Sequence, residues 1–141
     1  MLNLVPRLIL LNFSDGNLSG TVSGSVLIFD VSGFASMAEA LSREGNRGAE
    51  ALSNRLNSIY TRGILSMIRG SGGFVSGFSG DSFAVILPGI EIEKAVIFGE
   101  EMLDRLALAS ASSPAGFVFK AGASDGTIDW GIIGREKKGW F

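Results

Sequence analysis

Apolar residues along this chain alternate between unbroken runs and spaced positions, and each change of period marks an element. Residues 25–31 (SVLIFDV) form a continuous, partly β-branched run between Gly24 and Gly33, which predicts a buried strand. Residues 34–44 predict a short helix, with Ser36 and Glu39 at capping-box spacing and Gly45, Asn46 and Arg47 as its break. From Gly48 onward Leu52, Leu56, Ile59, Gly63 and Met67 recur three or four apart, the signature of an amphipathic helix reaching about Ile68. Glycines between 70 and 73 stop it. Runs at 74–79 and 82–87 flank Gly80-Asp81 and predict a hairpin, closed by Pro88-Gly89. A helix over 91–109 follows, with Ile92, Val96, Gly99, Leu103 and Leu106 along one side. The last apolar runs, 117–123 and 127–133, flank Asp125-Gly126 and predict a second hairpin.

Ahead of the first strand, residues 1–13 are apolar but interrupted by Pro6 and Arg7, and the run from Leu8 to Leu11 is too short for a signal core or a membrane span. A packing segment or a short helix is expected there, then a loop over 14–24 rich in Ser, Gly, Asn and Asp. Residues 1–24 are therefore a lead-in and residues 25–141 the domain, with no repeat or linker. The order βααββαββ predicts an α+β fold, a ferredoxin-like or palm-type antiparallel sheet with helices packed on one face. In that topology the strands at 25–31 and 82–87 are neighbours, and the C-terminal end of one meets the N-terminal end of the other. Those ends carry Asp30 and Asp81.

Composition sharpens the meaning of that pair. With 141 residues, 46% of them hydrophobic, the chain builds one domain with a real core. A net charge of −2 and a pI near 5.1 give no electrostatic reason to expect nucleic acid as a partner. There is no Cys and no His, so thiolate and imidazole sites and His-based triads are excluded. A metal must be held by oxygen, which favours Mg²⁺ or Mn²⁺. Two aspartates on adjacent strand ends can chelate two such ions; the alternative is that both are ordinary turn residues beside glycine. The passage Val31-Ser32-Gly33-Phe34 turns strand into helix, and backbone N–H groups at such a turn cradle phosphate. With no targeting or spanning segment expected, a cytoplasmic location without a membrane partner follows.

VLIFDVSGFASMAEAL, then GGFVSGFSGDSFAVILPG, then KAGASDGTIDWGIIG resemble the catalytic domain of class III adenylate/guanylate cyclases, nearest to the soluble, bacterial type, and RGAEALSNRLNSIY resembles its second helix. The resemblance runs from about Val5 to Phe141, with the first two motifs specific together and the third weaker. It implies that Asp30 and Asp81 bind two Mg²⁺ or Mn²⁺ ions, with the Val31 carbonyl on one of them. It also implies that the backbone of Ser32, Gly33, Phe34 and Ala35 binds the triphosphate. The implied reaction is attack of the ribose 3′-hydroxyl of ATP on the α-phosphate, giving cyclic AMP and pyrophosphate, within a homodimer or paired with a second cyclase domain.

Three positions depart from the family pattern. Ala35 stands for a usual Thr, where the backbone does the binding. Gly77 stands for the Lys that reads adenine, and a Gly donates no side-chain hydrogen bond. The family's later segment, with its base-reading residue, Asn and Arg, is not found before Phe141, so the domain is expected to be C-terminally incomplete and to show little cyclase activity alone. The rival expectation is a degenerate, non-catalytic nucleotide-binding or regulatory domain. Lys120 could face phosphate but reads first as a solvated strand-edge residue, and Arg135, Lys137 and Lys138 read as a solvated turn. Phe74, Phe78, Phe83, Phe117 and Phe119 read as core, and Gly122, Gly126, Gly131 and Gly134 as turns or close strand contacts.

Overall fold

A computed structural model of the chain describes residues 5–43, 45–58, 64–79, 81–110 and 118–133. The elements run α1 (Arg7–Ser14), β1 (Ser19–Ser32), α2 (Phe34–Ser42), α3 (Asn46–Ser58), α4 (Ser66–Ser71), β2 (Phe74–Ser79), β3 (Ser82–Pro88), α5 (Ile92–Ser110) and β4 (Val118–Gly131). The strands form one antiparallel sheet in the order β2-β3-β1-β4, the ferredoxin-like arrangement, with β1 and β3 adjacent at its centre.

Strand alternation decides which side is covered. Leu27, Phe29 and Val31 of β1 and Phe83, Val85 and Leu87 of β3 point to one face and are buried against Ile64, Ile68 and the α5 residues Ala95, Met102 and Leu106. Phe29 and Phe83, paired in register, stack with ring centroids 4.9 Å apart and planes 10° from parallel. Residues of the other parity look the opposite way, and Ile28 there is 56% exposed. The sheet is thus helix-covered on one face, as the pattern of elements predicts.

Several boundaries differ from the expectation, and each has a physical cause. The second hairpin does not exist: β4 is one strand that pairs with β1 from Ser19↔Gly131 to Ser32↔Val118, passing straight through Asp125 and Gly126. Its partner is long enough for this because β1 reaches back to Ser19, inside the segment expected to be a loop. The turn preference of Asp-Gly is local, whereas a fourteen-residue ladder satisfies backbone groups on both sides of it. The break before the second helix is shorter than expected, because Asn46 and Arg47 already belong to α3 and the turn rests on Gly45 at φ 66°. That helix is described as α3 and α4; residues 59–63 between them, and the expected apolar positions Ile59 and Gly63, lie outside the described residues. Its end is as expected, Gly72 adopting the left-handed conformation. The capping box is absent: α2 starts two residues ahead of Ser36, its N-cap is Gly33, and Glu39 pairs with Arg43 at 2.9 Å instead. The other phenylalanines divide: Phe83 is core, Phe74 and Phe119 are half-buried, and Phe78, expected inside, is 60% exposed at the β2 edge. Phe117, Gly134, Arg135, Lys137 and Lys138 lie outside the described residues.

Candidate active site

Asp30 is the third-last residue of β1 and faces the side of the sheet opposite the core, because its neighbours Phe29 and Val31 are both committed to the core. Phe29↔Phe83 is the last paired step between β1 and β3, and one residue further on the Ser82 hydroxyl donates to Asp30 Oδ1 at 2.8 Å. Asp81 immediately precedes Ser82 in the turn that joins β2 to β3. The two aspartates, fifty-one positions apart in the sequence, therefore sit at one end of the two central strands. Both are half-buried. Gly80 lies outside the described residues.

The same end of the sheet holds the start of a helix. β1 ends at Ser32, Gly33 turns the chain at φ 96°, and α2 begins at Phe34 with no side chain capping it. A residue with a Cβ is strained at that φ, so glycine is what lets the strand pass straight into the helix. The first backbone N–H groups of α2 have no intrahelical acceptor, which suits them to an anion held beside Asp30.

A fourth group, Lys120, is exposed on the edge strand β4, as expected of a solvated strand-edge residue. Lys120 of β4 is the register partner of Asp30, on the same face of the sheet. With Ser79 opposite Ser82, a polar row crosses all four strands: Ser79, Ser82, Asp30, Lys120. Only the register of the last strand could have placed Lys120 there, and the expected hairpin hid that register. Gly77 lies on the adjacent row, opposite Ala84, beside an irregularity in β2, and a Cβ built on it meets nothing within 4 Å.

Among the described residues no three His, Cys, Asp or Glu side chains cluster as a metal cage. Two carboxylates at a strand end that also carries the Ser82 hydroxyl, with Lys120 on the neighbouring strand, fit Mg²⁺ or Mn²⁺, which commonly take one or two carboxylates and complete their shell with phosphate oxygens and water. No described helix is long and apolar enough to cross a membrane.

No protein-family model matches the sequence, and no curated protein sequence matches it. Solved structures do. The guanylyl cyclase Cya2 aligns with a TM-score of 0.64 at 23% identity, over 86% of this chain and 62% of that one. The adenylyl cyclase CyaB from P. aeruginosa aligns at 0.64 and 22% identity, over 84% and 63%. The dimeric guanylyl cyclase domain of the RhoGC fusion protein from the aquatic fungus Blastocladiella emersonii aligns at 0.60 and 16% identity, over 85% and 66%. This chain thus spans less than two thirds of the length of the structures it matches. Its α+β architecture is the palm-type fold of the class III adenylyl and guanylyl cyclase catalytic domains.

Proposed function

We propose that the chain is a nucleotide cyclase domain that converts ATP to cyclic AMP and pyrophosphate when paired with a second copy or a second cyclase domain. The observation that carries this reading is the convergence of Asp30, Asp81 and the start of α2 at one end of the sheet. Asp30 and Asp81 would hold two Mg²⁺ or Mn²⁺ ions, with the Val31 carbonyl as a further ligand, and such ions would supply neutralisation of triphosphate charge and a lowered pKa of the ribose 3′-hydroxyl. The backbone of Ser32, Gly33, Phe34 and Ala35 holds the β- and γ-phosphates, and Lys120 adds a positive charge from the adjacent strand. The 3′-oxygen bonds to the α-phosphorus, the bond to the pyrophosphate oxygen breaks, and the 3′ proton leaves to solvent. The backbone N–H groups at the start of α2 and the Lys120 ammonium keep the polyphosphate fixed while charge shifts onto the leaving group. A cytoplasmic site, where nucleoside triphosphates are made and used, fits this chemistry.

Gly77 supports a second reading. With no side chain at that position, β2 offers the base no side-chain hydrogen bond, as expected of a degenerate domain that binds nucleotide without turning it over. Binding of a non-cyclisable ATP analogue to the purified chain separates the possibilities. Mn²⁺-dependent binding that is lost in Asp30→Asn supports the metal–triphosphate site. Binding that ignores both Mn²⁺ and Asp30 overturns it, and preference for the GTP analogue corrects the substrate. Cyclic nucleotide formed with a complementary cyclase domain supplied in trans favours the enzyme over the degenerate domain.

A further inference from the structure

We infer that Ser82 is a positioning residue for the candidate metal site, acting through Asp30; the inference rests on the metal reading proposed above. Three features of the structure support it. The Ser82 hydroxyl donates to Asp30 Oδ1 at 2.8 Å, a half-buried hydrogen bond to a carboxylate, which is stronger than a neutral one. The backbones that present the two groups are clamped one residue away by the stacked, buried Phe29 and Phe83 rings. Ser82 also directly follows Asp81, so a single hydroxyl ties the residue next to the second carboxylate to the first carboxylate.

The consequence is geometric. A free aspartate rotates about χ1 and χ2, and a two-carboxylate site loses affinity when either ligand has to be ordered on binding. Ser82 donates its proton to one lone pair of Oδ1, which leaves Oδ2 and the second lone pair of Oδ1 for metal. Asp30 is thereby pre-oriented, and its spacing from Asp81 is set by a side chain rather than by the backbone alone. Groups that orient metal ligands in this way typically contribute 10- to 100-fold to affinity.

The test uses Mn²⁺ alone, titrated into the full chain and followed by the electron paramagnetic resonance signal of free Mn²⁺, with no nucleotide and no turnover. Expected are binding by the wild type, about a tenfold loss in Ser82→Ala, and recovery to within about threefold in Ser82→Thr, which restores the hydroxyl. Asp30→Asn abolishes binding. Thermal melting is expected to show Ser82→Ala folded like the wild type, so that the loss is one of ligand geometry. If Asp30→Asn loses Mn²⁺ while Ser82→Ala binds as the wild type does, the positioning role is overturned and the metal site stands. If Ser82→Thr binds as weakly as Ser82→Ala, the hydroxyl is not the agent and the role is likewise overturned. A wild type that takes up no Mn²⁺ removes both the metal reading and the inference.

Discussion

The two ends of β1 have opposite characters. Its C-terminal half lies between β3 and β4, with Leu27, Phe29 and Val31 buried on the helix side and Asp30 on the open side. Its N-terminal half, Ser19 to Ser23, pairs with β4 alone, because β3 joins β1 only from Gly24 onward. The apolar side of the strand changes over at the junction. In the core half the odd-numbered residues are apolar and buried; in the arm Ser19, Thr21 and Ser23 are polar and exposed, while Gly20 and Val22 are half-buried. The changeover falls at Gly24 and Ser25, and Ser25 is buried there only because its hydroxyl donates to the Ile90 carbonyl at 2.7 Å. Packed on both sides, one end can hold a half-buried carboxylate in place; the other end is a two-stranded ribbon held by its ladder and by the Trp130 ring lying across Gly20.

The largest expected effect is at the clamped end. Phe29→Ala removes a fully buried, stacked ring and is expected to cost about 3–5 kcal/mol in denaturant unfolding. The same truncation at half-buried Trp130 is expected to cost about 1–2 kcal/mol, and equal costs would break the contrast between the ends. Asp30→Asn separates site from scaffold: Mn²⁺ affinity is expected to fall by more than about 100-fold, with unfolding free energy changed by less than about 1 kcal/mol. A large stability loss there would mean that the carboxylate is structural. At the junction, a Cβ on Gly24 would lie 2.5 Å from the Leu87 carbonyl oxygen, backbone that cannot step aside. Gly24→Ala is therefore expected to cost about 1–3 kcal/mol and to raise amide exchange on both sides of the junction. Smallest is Thr21→Val in the arm. It removes the exposed hydrogen bond from the Thr21 hydroxyl to Asp129 at 3.0 Å and is expected to shift unfolding by no more than about 0.5 kcal/mol.

The two regions also differ in how far they could be read from the sequence. The apolar runs at 25–31 and 82–87, each bounded by glycine or proline, are long-range commitments written locally, and the sheet confirms both. From them the central pairing followed, and with it the meeting of Asp30 and Asp81. The arm differs from the expected loop because its four Ser and Gly residues, of little strand preference, outnumber the β-branched Thr21 and Val22, and because Asp125-Gly126 carries a strong turn preference. The short β-branched pair Thr21-Val22 is too little to announce a strand by itself; the ladder with the facing strand holds it. Lys120 is, as expected, an exposed residue of an edge strand; that it stands opposite Asp30 is given only by the register of β4 on β1. Ser82 was passed over because a serine after an aspartate has no signature of its own; its role arises from the hydroxyl lying across the strand from Asp30.

The amino-acid sequence by itself determined the layer architecture, the exclusion of imidazole and thiolate chemistry, and the two aspartates that meet at one end of the central strands, because hydrophobic period and residue type are local properties. Only the tertiary structure decided which groups surround those carboxylates. Register across β1 sets Ser82 on one side of Asp30 and Lys120 on the other, and a slip of one residue would turn every side chain of the strand to the opposite face.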